Sequence, residues 1–446
     1  MTDDIRKPSQ VEEYHGRPVP MQDRLGFAKP AWVWSGFGIA FICAVIGGSI
    51  QQGLGTWGAI SAIILGNAIL FVYASALGYA SGRWGLNFPL TVRATFGNRG
   101  AVVPIIILAG LVTGWYSFHT WLTADIVRVA FDIQSTAVVA GIAVAVGVIY
   151  AGPVIFGIRS MALIRKIAIP AMVLFVVYYT VVKVIPVGGE IFNRTGDGSI
   201  SFWAGVGMAW ATFAVSGTMT GDIVRYVRTG KQAVGVTAVA FLFSNAPFMI
   251  MGAIFAAAIN DPSVPYFLDT SSPAILVALA GIAILSTWST ADACLYNASM
   301  GFSNGIGPLN WQRAGMLATA LGILLAATGA VGNVVNILIL IGIVVPPIGA
   351  AIIVDYFVLR GDRGFGAARS SQTNWAAIIA VLFGIVAGLI MREVAPEVIF
   401  GIPGMIVTAS VYFVLAKTLT TPLGAEVPSD KTDAQAEGVD AAGAAP

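Results

Sequence analysis

Apolar residues in this chain come in long unbroken runs, not in the alternation of a half-buried strand or the narrow stripe of a surface helix. From Trp32 to Lys417 stretches of about 20 such residues follow one another, the length at which a helix crosses a hydrocarbon core about 30 Å thick. Breaks at Gly, Pro and charge clusters divide them into twelve predicted helices. These cover 31–54, 57–79, 101–126, 136–158, 164–186, 201–221, 234–258, 272–298, 311–329, 332–356, 374–391 and 398–416. Residues 1–30 form a polar tail of mixed charge with no short apolar core and cleavage site, so no cleaved signal peptide is expected. Residues 417–446 are Ala/Gly-rich and acidic, and are expected to be disordered.

Composition fits that pattern and narrows the function. Of 446 residues 57% are hydrophobic and 10% charged, against roughly a quarter charged in a soluble domain. A soluble enzyme is excluded, and the chain reads as an all-α polytopic membrane protein. A net charge of +2 gives no basic field for nucleic acid. The two cysteines, Cys43 and Cys294, lie inside apolar runs and suggest neither a disulfide framework nor a metal site. With the N-terminus inside, 20 of the 24 Lys and Arg fall on the cytoplasmic side of the predicted spans, leaving Arg128, Lys183, Arg194 and Arg392 outside. Cytoplasmic loops retain basic residues, so both termini are expected in the cytoplasm.

Two spans carry clusters of small residues. In segment 1 they are Gly47, Gly48 and Ser49, followed by Gln51 and Gln52; in segment 6 they are Ser216, Gly217 and Thr218. Such clusters also let neighbouring helices approach closely. Their recurrence five spans apart favours interrupted helices at equivalent places in two halves, the sequence pointer to a secondary transporter's site. Five spans per half is an odd number, so the second half is inverted relative to the first. The predicted organisation is repeat 1 over 31–186, repeat 2 over 201–356 and two peripheral helices over 374–416. Backbone groups freed by the interruptions are tolerable only where they face a cavity, ion or ligand. The chain has no phosphate-cradling loop, so an ion gradient is the default energy source. A channel or an intramembrane enzyme is a weaker reading: few polar residues are available for a pore, and neither His-Glu-x-x-His nor Gly-x-Ser-x-Gly occurs.

The stretch GLNFPLTVRATFGNRGAVVPIIILAGLVTGWYSFHTWLTAD (85–125) resembles the nucleobase:cation symporter-1 family, in its bacterial cytosine-permease-like branch. SGTMTGDIVRY (216–226), STWSTADACLYNASMGF (286–302) and VVPPIGAAIIVDYFVLR (344–360) agree with it, and the resemblance runs over about residues 35–390. It implies a leucine-transporter-type fold, with ten core helices in two inverted repeats of five plus two peripheral helices. It also implies residue roles. Trp115 matches the tryptophan that stacks on a flat substrate, and Phe213 the aromatic on the opposite side. Ser289 and Thr290 match a hydroxyl pair that holds sodium, with carbonyls from Ser286, Gly38 and Phe41 completing five oxygens. Against this stands the habit of membrane Ser/Thr hydroxyls of bonding back to the carbonyl one turn earlier.

Other residues are candidates on their own chemistry. His119 follows Trp115 by one turn and shares its face, where an imidazole could bond a heterocycle's edge or carry a proton. Asp292 lies in mid-membrane, where a charge is costly enough to suggest ion coupling, substrate contact or a partner on another helix. Ser216 and Gly217 are substrate candidates at the segment 6 interruption. Gln51 and Gln52 are candidates for the outer vestibule, and Asp222 with Arg225 and Arg228 for an inner gate or structural ion pair. Three positions that are polar in cytosine-transporting members are Val112, Val215 and Ala291 here. That loss puts cytosine itself in doubt. The expected function is import of a nucleobase or related flat heterocycle by cation symport, sodium first, by a monomer in the inner membrane. The alternative is proton-coupled transport of allantoin, hydantoin or a thiamine-precursor pyrimidine.

Overall fold

The computed structural model describes residues 14, 16–152, 158–261, 265–307, 309–361, 365, 372–395 and 401–419. The expected disordered tail after 419 lies outside them. Among the described residues every regular element is helical and no strand occurs. Hydrocarbon leaves a spanning backbone no partner but itself, and a helix satisfies it within one segment. The elements are α1 (Ala28–Gly38), α2 (Phe41–Trp84), α3 (Phe88–Phe96), α4 (Val102–Ala130), α5 (Thr136–Tyr150) and α6 (Ile158–Tyr179). They continue with α7 (Phe202–Ala211), α8 (Ala214–Thr218), α9 (Gly221–Val224) and α10 (Gly230–Ile259, with a π turn at Phe241–Asn245). The last are α11 (Pro273–Gly305), α12 (Trp311–Ala327), α13 (Val334–Arg360), α14 (Trp375–Val394) and α15 (Ile402–Leu419).

Among the described residues seven helices are long and apolar enough to cross a membrane unaided. Twelve separate spans were expected from hydropathy, and two effects account for much of the difference. The latter part of the first predicted span and all of the second form one helical stretch, α2, that turns back at Gly55 (φ 76°, ψ 173°). Leu54, Ile50 and Ala62 all lie within 4 Å of where a Cβ on Gly205 would stand, whereas twelve residues of straight helix would separate Ile50 and Ala62 by about 18 Å. A side chain at Gly55 would be strained by its φ and would meet the Arg194 carbonyl at 2.8 Å. The second effect is real interruption: predicted segment 6 is divided among α7, α8 and α9, each too short to span.

The interruption of segment 1 is not where the glycines are. The helix stops at Gly38 and resumes at Phe41, with Ile39 (φ −96°, ψ 58°) non-helical and Ala40 (φ −105°, ψ 139°) extended between them. Gly47, Gly48 and Ser49 lie inside continuous helix. A Cβ on Gly47 would stand 2.0 Å from the Met249 carbonyl oxygen, and one on Gly252 would stand 2.1 Å from that of Ala44. Gly47 and Gly252 therefore mark the crossing of α2 with α10, where small residues let the backbones touch. In segment 6 the interruptions flank the expected triplet, at Thr212–Phe213 and again at Met219. Hydroxyls take up carbonyls around these breaks: Thr212 donates to Met208 O (2.7 Å), Thr218 to Ala214 O (2.8 Å) and Thr220 to Gly217 O (2.5 Å).

Helix α11 packs against α4, α6 and α12, while α2 packs against α10 and α7. The broken segments lie against these helices. Helices α14 and α15 pack on each other and on α13. Their docking is polar at one end: buried Asp355 pairs with Arg360 and accepts from Tyr412 Oη (2.9 Å), and Asn374 donates to Thr95 O (2.8 Å). Exposed apolar side chains such as Val148, Leu174, Leu382 and Phe383 cover the outer faces, as a lipid-facing surface requires.

Candidate functional site

Trp115 on α4 and Phe213 in the α7–α8 break, 7% and 8% exposed, line one small cavity of about 40 Å³. The cavity has one wall from each of four elements: Phe37, Ala40 and Ile42 around the first break; Val112, Trp115 and His119 of α4; Thr212, Phe213, Val215 and Ser216 around the second; and Thr290, Cys294 and Asn297 of α11. On α4 and α11 these residues recur at three- to four-residue spacing, which places them on one face. The cavity thus brings the two aromatics together with His119, Ser216 and Thr290. The His119 ring lies 6.0 Å from that of Trp115, tilted by 30°. Its Nδ1 is buried and has no hydrogen-bond partner among the described residues.

Two larger clefts, of about 450 and 390 Å³, lie beside α1. Ser286, Ser289 and Thr290 line the first with Phe37, Ile39 and Arg165. The second runs from Ser216, Met219 and Asn297 to Lys29, Asp222 and Arg225. Phe37 borders both clefts and the small cavity, and the Arg165 guanidinium sits 5.1 Å above its ring.

The predicted ion ligands converge in part. Phe41 N–H donates to Ser286 Oγ at 3.1 Å, joining the start of α2 directly to α11. Gly38 ends α1 there, and the carbonyls of a helix's last turn have no intrahelical amide partners. Thr290 Oγ1 donates back to Ser286 O (3.1 Å), the local bond that membrane hydroxyls favour. Its lone pairs stay free to accept a cation. Neutral hydroxyls and backbone carbonyls are hard oxygen donors, a set that fits a small monovalent cation.

Several expected site residues stand elsewhere. Gly217 faces α2, where its Cβ would meet Leu70 Cδ1 at 3.0 Å, so it packs against a helix and away from the cavity. Ala291 is fully buried in packing, whereas Val112 and Val215 line the cavity as apolar walls. Asp292 is also fully buried, and neither carboxylate oxygen has a hydrogen-bond partner among the described residues. Arg165 on α6 and the neighbouring Trp288 side chain act on it. Behind it Thr123, Tyr150 and Thr287 form a hydroxyl cluster, with Thr123 Oγ1 2.8 Å from both partners. Asp222 Oδ1 accepts the N–H of Phe88 (2.8 Å), stabilising the N-terminus of α3, while Arg225 donates to Tyr14 O (2.8 Å). Gln51 is buried and Gln52 exposed, and the Gln52 carbonyl accepts from Asp197 N (2.8 Å). Phe37, Arg165, Cys294 and Asn297 were not singled out from the sequence. Only Asn297 carried a signal, a polar residue two turns after Thr290 on the same face.

Phe267 and Tyr266 are held at positive φ (53° and 55°) before α11. The Phe267 ring packs on Phe41, Phe175, Tyr179 and Phe255. Beside it Asp269 pairs with Lys183 (2.6 Å) and accepts from Tyr178 Oη (2.7 Å). Burial by itself would raise the Asp269 carboxyl. Lys183, Tyr178 and Ser271 outweigh it and hold the group well below the usual carboxylate range.

The sequence profile of the family described as permease for cytosine/purines, uracil, thiamine, allantoin matches residues 18–415. The chain belongs to that permease family. It is a multi-pass membrane transporter, not an enzyme. The cytosine permease of Escherichia coli (strain K12) is 29% identical over 401 residues, covering 87% of this chain and 91% of the relative. The hydantoin permease of Microbacterium maritypicum is 24% identical, covering 90% and 88%. Among solved structures, Mhp1, a nucleobase-cation-symport-1 family transporter closed on bromovinylhydantoin, superposes with TM-score 0.74 at 20% identity, over 91% of this permease and 96% of that chain. A Na+-coupled sialic acid symporter superposes with TM-score 0.60 at 16% identity, over 90% and 92%. These likenesses establish the transporter fold of this permease.

Proposed function

We propose that this permease imports a neutral nucleobase-like heterocycle together with sodium, alternating between states that expose one central site to either side. The supporting observation is the cavity in which Trp115 and Phe213 stand beside Thr290 of the hydroxyl pair. Two aromatic walls suit a flat ring, since offset stacking adds about 0.5–1.5 kcal/mol beyond area burial and selects for planarity. Sodium would be held by the carbonyls of Gly38 and Phe41 at the first break and by Ser286, Ser289 and Thr290 of α11. Because one ligand set belongs to the broken helix and the other to α11, an ion between them favours the arrangement in which the two are close. The lysine and arginine distribution supports an inner-membrane orientation with both termini and the α1 clefts on the cytoplasmic side. The relatives transport cytosine and hydantoin by name, so a heterocycle of that size is the working substrate class, carried by a monomer.

The test is uptake in proteoliposomes of a panel that includes uracil, cytosine, hydantoin and allantoin, with and without an inward sodium gradient. Sodium-driven uptake of one of them, abolished in Trp115→Ala, supports the reading; uptake unchanged by that substitution would falsify it. A second reading, proton coupling for allantoin, hydantoin or a thiamine-precursor pyrimidine, is favoured by the fully buried carboxylate of Asp292. Uptake that ignores sodium and follows an imposed pH gradient would select it.

A further inference from the structure

Two of the three positions that lost polar side chains, Val112 and Val215, form apolar walls of the central cavity. The chain must therefore read a heterocycle's edge with other groups. Among the polar side chains that line the cavity, Thr212 and Thr290 already donate their hydroxyl hydrogens to Met208 O and Ser286 O. His119 keeps an unpartnered Nδ1, and Ser216 and Asn297 have no side-chain hydrogen bond among the described residues. Of these, Asn297 alone offers a donor and an acceptor side by side on one carbon, able to meet two adjacent groups of a ring edge; the two nitrogens of an imidazole point apart. It stands on the α11 face that also carries Thr290 and Cys294, and it borders both the central cavity and the cleft that leads toward Lys29 and Arg225.

We propose that Asn297 is the specificity-determining residue of this site, pairing through two hydrogen bonds with a substrate edge that carries a donor beside an acceptor. His119 Nδ1 makes the third polar contact. The substrate class is then a neutral heterocycle with a lactam or amidine edge, stacked by Trp115 and Phe213 and read at its rim by Asn297. A ring lacking that edge leaves the amide unpaired in a largely apolar cavity, and such sites reject it strongly because both partners stay desolvated. The position of Asn297 also gives it a role in release, since it lines both the cavity and the basic cleft and, unlike Phe37, which lines both as well, can hydrogen-bond the ring. A ring that leaves toward Lys29 exchanges its two bonds to Asn297 for bonds to water.

This inference rests on the proposed function, and its test separates the two. Purified full-length protein is melted in sodium with uracil, hydantoin, cytosine, or 1,3-dimethyluracil, which keeps a flat ring and both carbonyls but has no N–H. A ligand that binds only the folded form raises its apparent stability by mass action. Wild type is expected to be stabilised by at least one N–H-bearing ring and about tenfold more weakly, in apparent affinity, by the dimethyl compound. In Asn297→Ala and in the near-isosteric Asn297→Leu that preference collapses, while the residual affinity for flat rings survives and is removed only by Trp115→Ala. If neither variant folds, Asn297→Gln, with its amide one methylene further out, must alter the order of preference among the rings. A preference that is identical in wild type and all folded Asn297 variants overturns the role of Asn297 and leaves the transport reading standing. Failure of every ring to stabilise wild type overturns the transport reading, and the inference with it.

Discussion

The backbone N–H of Phe41 donates to the side-chain oxygen of Ser286 at 3.1 Å, and this bond links the two elements expected to share a cation. It takes up an amide that the break at Ile39–Ala40 would otherwise leave unpaired. Ser286→Ala strands that buried donor, which costs about 1–3 kcal/mol. A lower melting temperature and a weaker response to sodium are expected together. Thr290→Ala should weaken the sodium response with a smaller change in melting temperature, because its hydroxyl bonds only to its own helix. Sodium titrations of the melting temperature distinguish the two; equal sodium affinity in Thr290→Ala and wild type removes that hydroxyl from the ion site.

Trp115→Phe keeps a stacking face and Trp115→Ala removes it. Uptake at limiting substrate is expected to fall modestly in the first and about tenfold or more in the second, with protein level in the membrane unchanged. A similar loss in both would point to packing against Phe118 and His119 instead of substrate contact.

Gly47 and Gly252 are contact points between α2 and α10, so Gly47→Leu and Gly252→Leu should fail through assembly. Their added atoms would stand 2.0 and 2.1 Å from backbone carbonyl oxygens, far inside van der Waals contact, and backbone cannot move aside as a flexible side chain can. Low yield of folded protein on detergent size exclusion is the expected readout. Normal folding with altered transport would instead return these glycines to the site.

Asp269 lies outside the spans, and its carboxyl is depressed in the folded state by Lys183, Tyr178 and Ser271 against the opposing effect of burial. A depressed carboxylate stabilises the fold at pH above its unfolded value of about 3.9, and that contribution is lost as pH falls toward the folded value. Melting temperature should therefore drop below about pH 4, and Asp269→Asn should flatten the drop while lowering stability at neutral pH. An unchanged acid limb in Asp269→Asn would remove this pair from the account.

Asp292 and Arg165 face each other electrostatically from α11 and α6 without a hydrogen bond on either carboxylate oxygen. Asp292→Asn and Arg165→Gln are each expected to leave one uncompensated charge, and the double variant should be less impaired than the sum of the singles. Simple additivity in melting temperature would show that the two charges act independently.

The sequence by itself determined the medium, the helical class and which residues of α4 and α11 share a face. Runs of about 20 apolar residues leave the backbone no other arrangement, and the order of four motifs identified the family. Trp115 with His119 and Ser286 with Thr290 were legible because each pair is spaced by one helical turn, so its shared face follows from local geometry alone. The location of the helix breaks was not legible. Glycine permits both unwinding and close packing, and only the neighbour decides which occurs: Gly47 meets Met249 and stays helical, while the chain opens eight residues earlier, where Ser286 receives the freed amide of Phe41. The same limit applies to Gly217, turned to Leu70 on α2, and to Asp292, fully buried and under the charge of Arg165. Asn297 entered the site only because α11 runs past the second break at the right height. That alignment is a contact between elements some 80 residues apart, and no local pattern in the chain specifies it.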